Sequence, residues 1–243
     1  ISQSGASQDL VLCAQGVVSQ GVPLLAITNS PGSPVESLAN VTFPIAAGPE
    51  LAVPATKTVI GSLAVGVSIL SALSVKYAEK TKRSVDAFLE AKDSTHPALE
   101  ALKTALLRHH HSYVVGRDVG GGAAQEIALK IKETCAIQAE AYSSSEVLHG
   151  PLQLATRSML VVVIDTDQPA YQESLDIAES RFSEAGVTVL RVRASDLSKA
   201  EMTPAASAAF LLFCIYSVVQ QVAVALGYNP DAPSTLKKVT TTR

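Results

Sequence analysis

The sequence has few aromatic residues, no tryptophan and no paired cysteine motif. Phe and Tyr together make up 5% of its 243 residues. The three cysteines are odd in number and show no Cys-x-x-Cys or Cys/His spacing, which argues against a disulfide framework and against a zinc site. The first residues do not follow the pattern of a secretory signal peptide. We therefore expect a cytoplasmic protein.

An excess of positive charge is also missing. There are 19 Lys and Arg against 22 Asp and Glu, and the formal net charge is −3, so we expect no nucleic-acid partner. Two runs without charged residues, 58–75 and 203–226, are long enough to span a bilayer. Glycine and serine interrupt the first run, and serine and glutamine interrupt the second. We interpret both runs as buried helices and expect no membrane contact.

Short apolar segments alternate with helical patterns along the chain. Apolar runs at 22–28, 41–45, 112–115, 160–164 and 187–192 predict strands, and helical spacing predicts helices between them, including long ones over about 54–80 and from Gly122 to about Ala141. This alternation is typical of an α/β fold with parallel, doubly wound sheets. The polar stretch before Pro97 predicts a boundary between two units, residues 1–93 and 94–227, which a tail over 228–243 follows.

The first nine residues hold three serines, two glutamines and a glycine, and they precede a helical pattern. A turn between a strand and a helix points backbone N–H groups and hydroxyls toward one place, and the helix dipole favours an anion there. This composition permits a phosphate cradle. It equally permits an ordinary helix cap in which Ser4 or Ser7 accepts from free N–H groups.

Two further features match no complete nucleotide-binding motif. The glycines at 116 and 120–122 stand between a strand and a helix but lack the G-x-G-x-x-G spacing, so we expect close helix–strand packing there. The segment 21–27 resembles 186–192, which indicates two related α/β units. In the second unit, Asp165 and Asp167 stand where the first unit has hydroxyls, so this turn should repel an anion.

Three side chains are candidates for acid–base chemistry. Glu133 lies on a helix rich in Ala, Ile and Leu, where a partly buried carboxylate can serve as a general base, although it can equally be a solvated partner of a nearby lysine. His149 precedes Gly150-Pro151 in a rigid loop and can be an acid–base group or a structural donor. Lys238, in the tail, is a solvated charge by composition alone.

Four blocks of the sequence resemble one family. Residues 1–9 are similar to the phosphosugar-binding turn of sugar isomerase (SIS) domains, and 50–57 resemble the segment before that family's long helix. Residues 128–151 are similar to the second SIS domain of glucosamine-6-phosphate synthases and their deaminase relatives, and 229–240 to the C-terminal loop of the same group. The blocks occur in the family's order, so the chain is identified as a tandem SIS protein with two three-layer α/β/α units.

The resemblance implies roles for individual residues. Glu133 would move a proton between C1 and C2 of the sugar, His149 would assist ring opening in the partner subunit of a homodimer, and Lys238 would face the sugar carbonyl as a Schiff-base or orienting residue. The phosphate would be held by the opening turn and the sugar would lie near the loop before the long helix; the implied binding residues are Ser2, Gln3, Ser4, Ser7 and Val53. No cofactor and no metal are implied.

The activity implied is that of an amino-sugar phosphate deaminase/isomerase, which converts glucosamine 6-phosphate to fructose 6-phosphate and ammonia. Aldose–ketose isomerisation without ammonia loss and phosphosugar sensing without catalysis remain open. Ala55 stands where the synthases have a serine, which favours a deaminase or isomerase. The first SIS unit should also contain a strand and a Gly-Ser/Thr-Ser turn before Ile1, so we expect an N-terminal part of that unit outside this sequence.

Overall fold

The computed structural model describes residues 1–91 and 96–238. The first unit contains two parallel strands, β1 (Leu25–Thr28) and β2 (Val41–Pro44). Ser2 extends this sheet through a single parallel bridge to Thr28. The helices of this part are α1 (Gln8–Ser19), α2 (Pro34–Leu38), α3 (Lys57–Leu73) and α4 (Val75–Ala91).

The second unit is built on a four-stranded sheet in which every pairing is parallel. Its strands are β3 (His111–Gly116), β4 (Gln138–Ser143), β5 (Leu160–Asp165) and β6 (Thr188–Arg193), in the order β4-β3-β5-β6. The helices are α5 (Pro97–Leu106), α6 (Val119–Cys135), α7 (Gln172–Glu184), α8 (Ala194–Leu197) and α9 (Pro204–Ala225), with short 3-10 turns at Glu146–Leu148, Gly150–Thr156 and Pro169–Tyr171. The predicted α/β class with parallel sheets is confirmed.

Central strands and α9 form the core because their sequences are apolar on every side. All six residues of β5 are buried, as expected for a strand covered by helices on both faces. Helix α9 begins at Pro204, where Thr203 accepts from the N–H of Ala206 as an N-cap. It packs on α6 and also contacts α3, α4 and α5. The core cluster around α9 therefore includes side chains from both units.

Helix α9 is also the one helix in the described part of the chain that is long and apolar enough to cross a membrane. In the fold, 61% of the most apolar 18-residue stretch of α9 is buried. The uncharged run at 58–75 forms most of α3, which is shorter. Because α9 is buried against α6, its apolar composition is explained by its place in the core.

Two element boundaries differ from the sequence-based expectation. The predicted helix over 54–80 is broken at Ser74, whose extended backbone ends α3 and whose hydroxyl accepts from the N–H of Tyr77 in α4. The predicted helix to Ala141 ends at Cys135, because Ala136 adopts a left-handed conformation with φ 53°. Strand β4 follows and was missed, since Ala and Glu are poor strand indicators at a sheet edge. The predicted boundary between residues 93 and 94 lies outside the described residues.

Candidate active site

The opening turn lies beside the end of β1. The N–H of Ser2 donates to the carbonyl of Ile27 at 2.9 Å, and the N–H of Asn29 donates to the carbonyl of Gln3 at 3.1 Å. Gly5 has φ +60°, and a Cβ on it would lie 2.2 Å from Oγ of Ser33. Glycine is therefore required for the turn to close against α2.

Two of the three serine hydroxyls in the turn accept hydrogen bonds from backbone N–H groups, and the third makes no capping hydrogen bond. Ser2 Oγ accepts from the N–H of Gly5 at 3.0 Å, and Ser4 Oγ accepts from the N–H of Ala6 at 3.3 Å. Ser7 is the N-cap residue of α1, yet its side chain makes no capping hydrogen bond, and its carbonyl is what receives the N–H of Val11. The capping interpretation is thus wrong for the Ser7 side chain, which is exposed at the positive end of α1.

Asn29 connects this turn to the loop that precedes α3. Its backbone is bonded to Gln3, and its side chain accepts from the N–H of Ala47 at 2.9 Å and donates to the carbonyl of Gly48 at 2.9 Å. The chain then runs directly into Glu50. The position of the phosphate-turn candidate is therefore fixed relative to the loop at 50–56.

Glu50 organises that loop from a nearly buried position. Its Oε1 accepts from the N–H groups of Thr56 at 2.9 Å and Thr58 at 3.2 Å, and its Oε2 accepts from the hydroxyl of Thr58. Burial alone would raise the pKa of Glu50. The hydrogen bonds from Thr58 and Thr56 and the charge of Lys238 outweigh burial and lower the pKa. A charged carboxylate thus caps the start of α3.

The C-terminal tail closes over the same loop. The N–H of Val53 donates to the carbonyl of Asp231 at 2.8 Å. Lys238 Nζ donates to the carbonyl oxygens of Ala52 at 2.6 Å and Val53 at 3.5 Å, and it lies 4.0 Å from Oε2 of Glu50. Two of the predicted site residues, Val53 and Lys238, therefore lie in contact although 185 positions separate them.

Glu133 belongs to a chain of charged groups along α6. The ammonium of Lys130 bonds to Oε2 of Glu133 and lies 3.6 Å from Oε1 of Glu126. The side chain of Lys130 is 4% exposed, and those of Glu126 and Glu133 are 15% and 23% exposed. One interpretation of the sequence made Glu133 the solvated partner of a nearby lysine. Glu133 is indeed paired with a lysine, but Lys130 is buried between two carboxylates.

Tyr216 of α9 completes this group. Its hydroxyl donates to Oε1 of Glu126 at 2.9 Å. Burial raises the pKa of Glu126, and the charge of Lys130 together with the hydrogen bond from Tyr216 partly offsets that rise, while Glu133 adds to it. Burial and the adjacent Glu126 carboxylate raise the pKa of Tyr216 as well. Sequence reasoning missed Glu126, Lys130 and Tyr216 as members of the site.

A cavity of about 370 Å³ joins these parts. Its walls come from the loop before α3, from α6, from α9 and from the start of the tail; among them are Ala52, Thr56, Lys57, Lys130, Tyr216 and Asp231. The cavity lies where the two units meet, which is a common place for small-molecule sites. The titratable groups that line it are Lys57, Lys130, Tyr216 and Asp231.

His149 is not brought to this cavity. It is exposed and lies between the 3-10 turns Glu146–Leu148 and Gly150–Thr156. Within the described part of the chain, its ring makes no hydrogen bond with Glu133 or Lys238. The opening turn also does not line the cavity. The structure therefore pairs Val53 with Lys238 and places Glu133 in the Lys130 cluster, and it leaves His149 apart from both.

The two other motifs have structural roles. A Cβ on Gly116 would lie 2.2 Å from the carbonyl oxygen of Gly120, so the glycine run permits close helix–strand packing, as expected. Asp165 is fully buried, and its carboxylate accepts from Arg191 and Arg193. Arg191 and Arg193 thus compensate the negative charge of Asp165, in the turn that was expected to repel an anion.

Comparison with known proteins agrees with this geometry. The family model described as the SIS domain matches residues 1–72 and 105–225. This chain belongs to the SIS domain family. The glutamine–fructose-6-phosphate aminotransferase (isomerizing) of Pyrobaculum aerophilum is 31% identical over 99% of this chain and 43% of its own length. The SIS chain thus spans about two fifths of the length of the curated relatives it matches.

Solved structures share the SIS fold over most of their length. A protein of Silicibacter pomeroyi described as a phosphosugar isomerase superposes with a TM-score of 0.82 at 28% identity, over 94% of this chain and 71% of the other. The glucosamine-6-phosphate deaminase of Thermotoga maritima superposes with a TM-score of 0.78 at 21% identity, over 98% of this chain and 73% of the other. The predicted family and fold are confirmed.

Proposed function

We propose that this SIS protein acts on hexosamine 6-phosphates as a deaminase/isomerase, with glucosamine 6-phosphate as the preferred substrate and fructose 6-phosphate and ammonia as products. The observation that carries the proposal is a cavity lined by the loop before α3, by Lys130 and by the start of the tail. Lys130 belongs to the buried Glu126–Lys130–Glu133 cluster, and Lys238 of the tail is bonded to the loop. The relatives support the proposal because they are named as isomerizing aminotransferases of fructose 6-phosphate.

The reaction needs one base that serves two adjacent carbons. After ring opening, Glu133 takes the proton from C2 of the amino aldose and returns it to C1. The aldehyde oxygen at C1 gains a proton and the amino nitrogen loses one, so that a hydroxyl forms at C1 and an imine at C2. Water then adds to the imine carbon, and the nitrogen leaves as ammonia to give the ketose. Because each proton that the sugar gives up is matched by one that it takes up, the isomerisation step needs no net proton from the solvent.

Other residues bind and orient the substrate in this proposal. Ser2, Gln3, Ser4 and Ser7 hold the phosphate at the start of α1, where the Ser7 hydroxyl is free of capping duty. Lys238 faces the carbonyl end of the open sugar, and Val53 contacts the sugar. His149 is exposed and does not line the cavity, which suits a proton donor that serves the partner subunit of a homodimer.

Isomerisation without ammonia loss is the second candidate, because it uses the same proton transfer and the relatives' name includes isomerisation. A sensor is disfavoured by the cluster itself. Burying a lysine between two carboxylates costs desolvation free energy, and a protein that only binds phosphate has no use for that arrangement.

The decisive experiment measures ammonia release and ketose formation from glucosamine, galactosamine and glucose 6-phosphates with the full-length protein. We expect ammonia from glucosamine 6-phosphate, and a loss of at least about 100-fold in kcat on Glu133→Gln because a positioned base contributes that much. Glu173→Gln, an exposed change on α7, is the matched control. Ketose formation without ammonia would favour the isomerase, and binding without turnover would favour the sensor.

A further inference from the structure

Tyr216 is a polar aromatic side chain on a mostly apolar helix. Thirteen residues of α9 are buried, and the helix serves mainly as the core between the two units. The Tyr216 hydroxyl nevertheless crosses from α9 to α6 and donates to Oε1 of Glu126 at 2.9 Å. A phenylalanine would fill the same space, so packing alone does not explain the hydroxyl.

The geometry joins this hydroxyl to the base. Oε1 of Glu126 is the oxygen that lies 3.6 Å from Lys130 Nζ, and the same ammonium bonds to Oε2 of Glu133. The buried ammonium of Lys130 is therefore shared by Glu126 and Glu133, and the Tyr216 hydroxyl contacts Glu126. The order of contacts is Tyr216, Glu126, Lys130 and Glu133.

We propose that Tyr216 is a positioning residue for the proton-transfer base: its hydroxyl keeps Glu126 charged, and the charged Glu126 shares Lys130 with Glu133. This inference rests on the proposed function of Glu133. When Glu126 is ionised, the attraction of Lys130 is divided between two carboxylates. When Glu126 is neutral, the whole of that attraction acts on Glu133, which then becomes a weaker base.

The other charged groups near Glu126 have fixed roles. On its own helix they are Lys130 and Glu133. From the loop before α3, Glu50 faces Tyr216, and its carboxylate is held by N–H donors and by Lys238 of the tail. Burial raises the pKa of Glu126, so this carboxylate is the member of the group that is nearest to losing its charge, and the Tyr216 hydrogen bond opposes that loss.

Tyr216→Phe tests the inference kinetically. A hydrogen bond to a charged group contributes about 1.5 kcal/mol or more, which corresponds to about one pKa unit. We expect the acid limb of the kcat profile to move up by about one pH unit, so that kcat at a given pH on that limb falls about tenfold and recovers at higher pH, while KM changes less than about twofold. Tyr77→Phe on α4 is the matched control, because the described residues offer its hydroxyl no partner.

A double-mutant cycle distinguishes positioning from packing. Glu126→Gln is neutral at every pH, so it should lower kcat and abolish the shift of the acid limb. If Tyr216 acts through Glu126, adding Tyr216→Phe to Glu126→Gln should change kcat by less than about twofold. An undiminished tenfold effect of Tyr216→Phe in the Glu126→Gln background would overturn the proposal.

Thermal unfolding tests the Tyr216–Glu126 pair without substrate. A carboxyl whose pKa is raised by folding binds more protons when folded, so it destabilises the fold as pH rises through that pKa. Removing the Tyr216 hydroxyl should raise the pKa further, and the Tm deficit of Tyr216→Phe should be larger at pH 8 than at pH 5. In the Glu126→Gln background the deficit should be independent of pH.

The outcomes separate the two hypotheses. A wild-type protein that binds but does not turn over any hexosamine or hexose 6-phosphate overturns the proposed function, and the positioning role of Tyr216 with it. A wild-type protein that turns over, combined with an unshifted acid limb in Tyr216→Phe, overturns only the inference about Tyr216.

Discussion

Lys238 Nζ lies 2.6 Å from the carbonyl oxygen of Ala52, so the last described residue of the chain is bonded to the loop that precedes α3. The backbone contact between Val53 and Asp231 holds the tail in the same place. A lysine that composition alone marks as solvated is thus fixed against the loop that supplies part of the cavity wall. Its ammonium has only backbone carbonyls and Glu50 as partners among the described residues.

The first prediction concerns this lysine. Lys238→Met keeps the length of the side chain and removes its charge, and we expect kcat to fall about 100-fold or more because a positioned charge at the reacting carbonyl is lost. Lys237→Met is the control and should retain activity, since it removes a neighbouring exposed charge. Borohydride reduction in the presence of substrate distinguishes the two proposed roles: covalent labelling of Lys238 indicates a Schiff base, and its absence an orienting ammonium.

The sequence is informative where a segment's own chemistry decides its structure. The apolar run at 160–164 predicts β5, and the uncharged run at 203–226 predicts the buried helix α9. The site is less predictable because its members meet through tertiary contacts. Nothing local indicates that a tyrosine on α9 bonds to a glutamate on α6, since such contacts depend on helix packing rather than on neighbouring residues.

The spacing of Glu126 and Lys130 is a sequence signal that could have identified this part of the site. They stand at i and i+4 on one helix, with Glu133 three positions further, so all three share a face. On the surface such spacing is a common solvated ion pair. Here the apolar neighbours on α6 indicate burial, and a buried charge cluster in a cleft is a functional-site candidate.

The second prediction separates phosphate binding from helix capping. Because the Ser7 side chain does not cap α1, Ser7→Ala should leave Tm within about 1 °C while raising KM about tenfold through loss of a hydrogen bond to phosphate. Thr203→Ala is the matched control, because the Thr203 hydroxyl does cap α9. It should cost about 1 kcal/mol and lower Tm by about 2–4 °C with an unchanged KM. A Tm loss in Ser7→Ala equal to that of Thr203→Ala would contradict this prediction.

The third prediction tests the glycine run as a packing device. Gly116→Ala places a methyl group 2.2 Å from the carbonyl oxygen of Gly120, so the strand and α6 must separate. We expect a loss of about 3 kcal/mol in the free energy of unfolding, measured in urea. Gly122→Ala adds the same methyl to α6 where no atom lies within 4 Å, and it should stabilise by about 0.5–1 kcal/mol. Equal effects of the two variants would argue against close packing at Gly116.

The fourth prediction concerns the buried carboxylate of the second unit. Burial alone would raise the pKa of Asp165, but the hydrogen bonds from Gln172, from the N–H of Asp167 and from Arg193, with the charge of Arg191, outweigh it and lower the pKa. A carboxyl whose pKa is lowered by folding stabilises the fold above its unfolded pKa, and that contribution is lost as pH falls through the folded pKa.

Asp165→Asn removes the charge that two arginines share, and it should cost about 3 kcal/mol or more at pH 7, because breaking a buried pair leaves charges without compensation. Below the unfolded Asp pKa of about 3.9 the unfolded chain takes up a proton that the folded carboxylate resists, so the difference between the two proteins should narrow as pH falls. Asp176→Asn removes an exposed partner of the same Arg191 and should cost less than about 1 kcal/mol. Urea unfolding at pH 7, 5 and 3 measures all three proteins, and a difference that stays constant down to pH 3 would mean that Asp165 does not stabilise the fold through its charge.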